Sequence, residues 1–413
     1  MKVWIVSVGE PLPCDKDARL RRMGILADYL TENEKNYVRW FSVSFDHYKK
    51  IQRVSDDFEF DIKPNYKLNV LYTEGYKKNV SLKRIIHHKN AAKKIFKKMN
   101  LLDEKPDIII ASMEPLEISK IAVKYANINK IPIITDVRDL WPEIYYEVVP
   151  KPLHFLLYLY VKLCSLSLKY TMRNTTSIVG LSDGFLKYGL KYAGRDKTDL
   201  DLVIPIGYPD FKDEKVNDFQ LILDKYNLKA NDFIVIFLGN FGDQFNFDDI
   251  ISAANSLSYK NDIKFILCGV GKQLDLLKEK TKNCNVIFTG WIDKNHILAL
   301  SRVSKIGIAP YIDSMNYRLN TPNKFGEYLS YGLPILTSVS GEMLNLCNEY
   351  NCGYKYENSY DLTKIINELY NNPSSIDILS RNSRKLFEEK FDAEIVNNKF
   401  LNHINNIFKE KEK

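Results

Sequence analysis

Cysteine is scarce in this sequence of 413 residues. The six present, Cys14, Cys164, Cys268, Cys284, Cys347 and Cys352, form no Cys-x-x-Cys pair and no Cys/His set. That excludes a disulfide scaffold and a structural zinc module. It reads instead as reduced thiols packed as small apolar residues in the cytoplasm. Long apolar runs are also missing. No window of about 20 residues suits a bilayer span, and the nearest approach, residues 153–168, is too short. Charge of one sign is not concentrated: 59 Lys and Arg face 52 Asp and Glu, a net +7 spread along the chain. So mild a bias fits anionic small molecules or an anionic membrane surface. Nucleic acid is not expected, because no zinc finger, RNA-binding aromatic signature or basic arm is present. There is no short-period repeat, and low complexity is confined to the tail Lys409–Lys413. Met1-Lys2-Val3-Trp4-Ile5-Val6 runs straight into a strand-like pattern, so no leader peptide is expected.

What remains is an alternation of strands and helices. The length predicts two domains of roughly 200 residues each. Apolar runs at Val3–Val8, Tyr37–Val43, Asp107–Ala111, Pro132–Val137 and Thr176–Gly180 predict strands. Between them, helical spacing covers Ala18–Leu30, Leu82–Met99 and Glu117–Ala126. Short apolar runs separated by helices imply parallel strands covered on both faces. Ile204-Pro205-Ile206-Gly207-Tyr208-Pro209, followed by a polar stretch, marks the junction. The pattern restarts with strands at Phe233–Leu238, Lys264–Cys268, Asn285–Phe288, Ile306–Ala309 and Pro334–Thr337. Helices are expected at Phe247–Leu257, Gln273–Lys282, Lys294–Ser301 and Lys324–Tyr331. The expected architecture is α/β, two doubly wound Rossmann-like domains over 1–206 and 207–392. A C-terminal helix, 393–413, returns to the first. Ligands of such sheets bind beyond the carboxyl ends of the strands, so a cleft between the domains is the expected site.

Three glycine turns follow strands of the second domain: Gly239-Asn240-Phe241-Gly242, Gly269-Val270-Gly271 and Gly290-Trp291-Ile292. Glycine admits a ligand close to the backbone, and a following helix offers free N–H groups to phosphate. None has the Gly-x-Gly-x-x-Gly spacing, which excludes a nicotinamide-type fingerprint. The most specific stretch is Asn320-Thr321-Pro322-Asn323-Lys324-Phe325-Gly326-Glu327-Tyr328, closed by Gly332 and Pro334. Asn320 or Thr321 is expected to cap a helix with Pro322 near its first turn. Lys324 then stands where N–H groups and an ammonium converge on a diphosphate. Glu327, nearly one turn on, suits a ribose diol. The plain alternative is a surface Lys–Glu pair.

In the first domain, Thr135-Asp136-Val137-Arg138-Asp139-Leu140-Trp141-Pro142-Glu143 ends a strand. Two carboxylates flanking Arg138 fix a guanidinium. The loop can orient an acceptor hydroxyl or phosphate, or it is a structural Asp–Arg network. Arg19, Arg21 and Arg22 are placed on the first helix, facing either acceptor phosphate or solvent. Tyr76 to Asn79 with Arg84, His87 and His88 reads the same way, and neither histidine has a second ligand at metal spacing.

These strings together resemble retaining GT-B glycosyltransferases of family 4, also called group 1. The Pro-x-Lys-x-x-Glu-Tyr helix and the three glycine turns fall in that family's order. Asp136-Val137-Arg138-Asp139-Leu140-Trp141-Pro142-Glu143 is similar to a block in its N-acetylaminosugar and fucosamine transferases. The resemblance implies a UDP-sugar donor and no metal. It gives the diphosphate to Lys324 and Asn323, faced by Gly9, the ribose to Glu327, and the base to Gly269, Trp291 and Ile292. Gly239, Asn240, Gly242 and Gly271 join the donor set. Asp139 or Glu143 would take the place of a catalytic histidine, since Met113 stands at that position, with Arg138 and Lys324 assisting. Catalysis would rest on positioning and charge stabilisation. The sequence departs from the family where a first glutamate is replaced by Leu319 and where Phe245-Asn246-Phe247 carries no arginine. Both departures leave the sugar open.

The implied acceptor is a glycan or a polyprenyl-linked sugar of surface polysaccharide synthesis. Residues 153–168 fit that as a helix lying on the inner face of the membrane, with Lys151, Lys162, Lys169 and Arg173 at the headgroups, or as a buried helix. The competing readings are a UDP-sugar epimerase or hydrolase on the same frame and a noncatalytic nucleotide-sugar-binding protein.

Overall fold

The apolar runs become strands buried on both faces. Val3 to Val6, Ile108 to Ala111 and Ile234 to Phe237 are fully buried, as a parallel sheet covered by helices requires. The structure, a computed structural model, describes residues 1–16, 18–281 and 284–411. Two compact units divide the chain: Met1–Ile204 with Asn397–Lys413, and Pro205–Val396. The last helix, Ala393–Lys411, starts in the second unit and from Asn397 on belongs to the first.

The first unit holds β1 (Lys2–Val6), β2 (Tyr37–Val43), β3 (Phe45–Asp46), β4 (Ile51–Gln52), β5 (Phe58–Lys63), β6 (Tyr66–Leu71), β7 (Ile108–Ser112), β8 (Ile133–Val137), β9 (Ser177–Gly180) and β10 (Leu202–Val203). Among the described residues, eight of them form one sheet in the order β10-β9-β8-β7-β1-β2-β6-β5, with β3 and β4 paired apart. Every pairing in the large sheet is parallel except β5 with β6. The chain leaves β1 in one direction and returns to β7 on its other side, so the strand order reverses between β1 and β7. Helices Leu82–Leu101 and Leu116–Ile128 cover one face, closing a core that includes Trp4, Phe41, Ile95, Ile109 and Tyr125. The first helix spans Arg22–Glu32, not Ala18–Leu30 as its spacing predicts, so Arg19 and Arg21 precede it.

The second unit holds β11 (Phe233–Leu238), β12 (Ile263–Cys268), β13 (Val286–Gly290), β14 (Ser304–Ala309), β15 (Ile335–Thr337) and β16 (Gly353–Lys355). Their order is β13-β12-β11-β14-β15-β16, all parallel, with the reversal between β11 and β14. The helix expected over Gln273–Lys282 spans Leu274–Lys280, and Lys282 lies outside the described residues. The helix Asn323–Ser330 follows β14 and buries Lys324, Phe325, Tyr328 and Leu329. Both units are thus doubly wound α/β sheets with a reversal near the middle, the place where such sheets open a crevice at their carboxyl ends.

Candidate functional site

In the second unit that crevice lies between the ends of β11 and β14, and the helix Asn323–Ser330 is fastened to it. Tyr328 is fully buried, and its hydroxyl accepts from Leu238 N at 3.1 Å while donating to Ile308 O at 3.0 Å. One phenol therefore satisfies a backbone group on each side of the reversal. Lys324, one turn earlier, is 7% exposed and donates from Nζ to Leu238 O. Its ammonium also lies 4.4 Å from the Phe237 ring centre and 4.9 Å from that of Phe245. These faces are attractive to a cation but do not replace its lost hydration. Burial lowers the Lys324 pKa to about 8, although Glu327 and then Cys268 pull it back up. Lys324 is therefore not half of a surface ion pair. It is a buried cation at the topological reversal, with Glu327 half-buried beside it.

The glycine turns serve one another first. Gly239 N donates to Cys268 O at 2.9 Å, and Gly269 N to Gly290 O at 2.8 Å. A Cβ on Gly269, whose φ is +136°, would stand 1.7 Å from Gly239 O. One on Gly239 would strike Lys324 Nζ. A Cβ at Gly271 would stand 2.6 Å from Phe241 N. The need for glycine at 269 and 271 thus arises from neighbouring backbone, where the sequence suggested a ligand. Gly242 accepts from Gln273 Nε2 through its carbonyl. Asn240 is exposed and accepts from Gln244. Gly290 has open space before it, Trp291 is 76% exposed and Ile292 is half-buried.

The expected cap is absent. Pro322 occupies the N-cap of Asn323–Ser330 and no side chain caps it. Thr321 Oγ1 and Asn320 Oδ1 are instead buried with no hydrogen-bond partner among the described residues. Asn323 is exposed at the first helical position, where backbone N–H groups have no intrahelical acceptor.

In the first unit the ends of β1, β7 and β8 are joined by one ionic network. Asp136, fully buried, accepts from Arg22 Nε and Nη2, both at 2.9 Å, and from Arg138 Nε at 2.8 Å. Arg138 also donates to Ser112 Oγ at 2.6 Å and to Glu10, and Ser112 meets Ser7 at 2.8 Å. Burial would raise the Asp136 pKa, but the two guanidiniums outweigh it and hold the carboxyl below its usual range. Burial likewise opposes the charge of Arg138, and Glu10 and Asp136 override it, pushing its pKa up. Arg138 and Arg22 are thus structural cations rather than free phosphate binders. The expected acceptor role of Arg22 gives way to this network, because Asp136 sits opposite it.

Glu143 accepts from the hydroxyls of Tyr188 and Tyr192. Those two hydroxyls hold the carboxyl in place on the loop after β8. Asp139 lies near Glu114 and helps raise the latter's pKa, after burial, well above the ordinary 4.5. Reasoning from sequence missed Glu114, although it stands in the strand-end string that drew attention to Met113. Met113 itself is fully buried. Gly9 has φ +85°, and a Cβ added there would stand 3.5 Å from the His47 ring. The sequence also contains Asp199-Leu200-Asp201, an Asp-x-Asp string. Asp201 is consumed by Arg195, Thr198 and the Ile178 N–H.

Residues 218–386 match the family described as Glycosyl transferases group 1. Through that domain the chain is a transferase of the glycosyl class. No curated protein matches the sequence. Among solved structures the chain is similar to sucrose-phosphate synthase from Thermosynechococcus elongatus, at 14% identity over 99% of both chains with a TM-score of 0.73. It is similar to HepE of Anabaena, solved in complex with UDP-glucose, at 14% identity over 98% of this chain and all of that one, TM-score 0.65. It is also similar to WaaG, a glycosyltransferase involved in lipopolysaccharide biosynthesis, at 13% identity over 96% and 97% of the chains, TM-score 0.63. These likenesses establish the GT-B class of fold.

Proposed function

We propose, from the premise of a glycosyltransferase, that the chain moves an N-acetylated or deoxy hexose from its UDP donor to a lipid-linked or glycan acceptor. The anomeric configuration is retained, as in the family 4 aminosugar transferases its motifs resemble. The pathway is surface polysaccharide assembly, of capsule or lipopolysaccharide type. One observation carries the donor side of this reading: Lys324 is a buried cation at the strand reversal, beneath Gly239 and beside an uncapped helix N-terminus. A diphosphate supplies anionic oxygens to this buried ammonium, and the helix N-terminus adds N–H donors. Glu327 takes the ribose, and the exposed Trp291 with Ile292 and Gly269 takes the base. Asn323, at the first position of the same helix, adds a diphosphate contact. No metal enters the reading. UDP is favoured because HepE, similar in fold, is solved with UDP-glucose. Asp139 and Glu143, on the loop after β8, are the candidates for a base.

A lipid-linked acceptor is supported by the outer surface of the first unit. Among the described residues no helix is long and apolar enough to cross a membrane. Yet the helix His154–Arg173 exposes Phe155, Tyr158, Leu159, Leu163 and Leu166. The expected alternative, a buried helix, is not what this face shows. Helices Leu82–Leu101 and His154–Arg173 both pack on Leu116–Ile128. The former carries six lysines and an arginine with no carboxylate. An apolar stripe beside a basic helix suits the inner, anionic face of a bilayer.

The test is a thermal-shift screen of UDP- and GDP-sugars followed by product analysis. A donor at about 100 times its Kd adds about 2.7 kcal/mol. UDP released only when acceptor is present, with the donor's configuration kept in the product, is the expected result. Free sugar released without acceptor, or an epimerised donor, overturns transfer.

A further inference from the structure

The helix Asn323–Ser330 carries a glycine, Gly326, in its interior. Glycine is the poorest helix former after proline, and the fold shows why it stands there. A Cβ at Gly326 would lie 2.4 Å from both Cδ2 and Cε2 of the Tyr208 ring. The ring fills a notch in the side of the helix, and Tyr208 is itself buried. Two residues on from Lys324, Gly326 faces about 200° round the helix from it. The Tyr208 ring therefore bears on the side turned away from the ammonium.

Tyr208 is fixed through its own backbone. Its N–H donates to Phe391 O at 2.8 Å, and its carbonyl accepts from Ala393 N at 2.9 Å. Asp392 pairs with it in a short parallel bridge. A Cβ on the neighbouring Gly207 would stand 2.8 Å from Ala393 Cα, so these two stretches of backbone lie in close contact. Phe391 ends a π-helical turn, Phe387–Phe391, and its ring meets that of Phe325 edge to face at 5.4 Å. Such turns are rare and gather at functional sites. Arg384 adds a third tie. It donates to Ser330 O, at the end of the helix, at 2.6 Å and to the two carboxyl oxygens of Asp210 at 3.1 and 2.8 Å.

The second unit begins at Pro205 and ends at Val396. Its first and last stretches are thus laid side by side, and both are packed on the helix that bears Lys324 and Glu327. A binding group has to be held to within about 0.5 Å of its working position, and a wedge behind the helix does that.

We infer that Tyr208 is a positioning residue of the donor site. Its ring, seated in the Gly326 notch, sets the rotation at which Lys324 and Glu327 leave the helix. Donor binding in turn firms the two segments that open and close the unit. The inference rests on the proposed donor site. Ordinary packing by Tyr208 would affect stability alone.

The test uses the full chain, with UDP affinity read by calorimetry. Tyr208→Ala should weaken UDP binding about tenfold or more, as misplacing a binding group does. Tyr208→Phe keeps the ring and should bind UDP like the parent. Gly326→Ala should weaken binding as Tyr208→Ala does. The double variant should bind no worse than Tyr208→Ala, because the ring that the new methyl strikes is gone. Independent effects would instead multiply to about 100-fold. Hydrogen exchange gives a second readout. In the parent, UDP should slow exchange over 205–210 and 391–396 more than in the helix Ser359–Asn371. That preference should vanish in Tyr208→Ala saturated with UDP. A folded Tyr208→Ala with lower Tm and unchanged UDP affinity overturns the inference alone, as do multiplied losses in the double variant. Should Tyr208→Ala fail to fold, the parent decides: equal slowing in all three segments overturns the inference. A parent that binds no UDP overturns the donor reading and this inference with it.

Discussion

Replacing Lys324 with methionine keeps the length of the side chain and removes its charge. In the protein as it stands, burial takes the Lys324 pKa from the ordinary 10.5 to about 8. At 1.36 kcal/mol per unit, that shift costs about 3 kcal/mol at neutral pH. The Phe237 and Phe245 rings return about 1 kcal/mol each, contacts that methionine replaces in part by packing. Lys324→Met should therefore stabilise the free protein at pH 7 by about 1–3 kcal/mol. For a unit of this size, each kcal/mol raises Tm by about 2–4 °C. The pH dependence gives the sign independently. Between pH 8 and 10.5 the unfolded chain binds the lysine proton and the folded chain does not, so the parent gains stability as pH rises. The advantage of Lys324→Met must shrink across that window. Meanwhile the variant should lose UDP affinity by about 10- to 150-fold, the worth of a charged hydrogen bond. The parent's UDP affinity should itself decline above pH 8, as the ammonium is lost. The assay is a Tm series from pH 7 to 10.5, with and without UDP. A free variant less stable than the parent, or one raised in Tm by UDP as much as the parent at the same UDP concentration, would refute the reasoning.

Other outcomes follow from the same contacts. Asp136→Asn leaves Arg22 and Arg138 without their shared carboxylate, and should cost the first unit about 3–5 kcal/mol in thermal or urea unfolding. Because the Asp136 pKa lies below the ordinary 3.8, its contribution is present above that pH and lost as pH falls through the lower folded value. The gap between parent and variant should therefore close in acid, and a gap that widens there refutes the network. Tyr328→Phe strands Leu238 N and Ile308 O and should lower second-unit stability by about 1–3 kcal/mol; an unchanged Tm would show the phenol bonds to be idle. The whole chain should sediment with anionic vesicles at low salt and come off at high salt. Combining Phe155→Ser with Leu159→Ser should abolish sedimentation, and retention by that double variant would remove the membrane face.

The strands dominated by apolar residues were legible in the sequence. Tyr37–Val43 and Phe233–Leu238 have the expected bounds, because burial on both faces leaves an apolar run, unbroken in Phe233–Leu238 and interrupted in Tyr37–Val43 only by Arg39 and Ser42. The edge pair β5–β6 was not found. Its residues, Phe58-Glu59-Phe60-Asp61-Ile62-Lys63, alternate, as a half-exposed antiparallel edge does, and lie in a charged stretch. The period of two was there to read. The helix carrying Lys324 and Glu327 was legible from its proline and glycine limits, but the burial of Lys324 was not. It depends on Phe245, which returns to the reversal through a bridge to Tyr311. Arg22 was misjudged for the same reason: its partner Asp136 lies 114 residues away. Glu114 gave no periodic signal at all. Its raised pKa arises first from burial, which only the fold supplies.

The division of the helix Ala393–Lys411 has a consequence for synthesis. The second unit is complete once Val396 has been made, but the first is not. Phe400, His403, Ile404 and Ile407 are buried, and His403 Nε2 meets Ser177 Oγ at 2.9 Å. Domains that are continuous in sequence fold as they emerge from the ribosome, the N-terminal one first. Here the order is reversed: the unit that begins the chain is finished last. A chain cut after Asp392 would keep its second unit nearly whole while leaving a groove in the unit translated first.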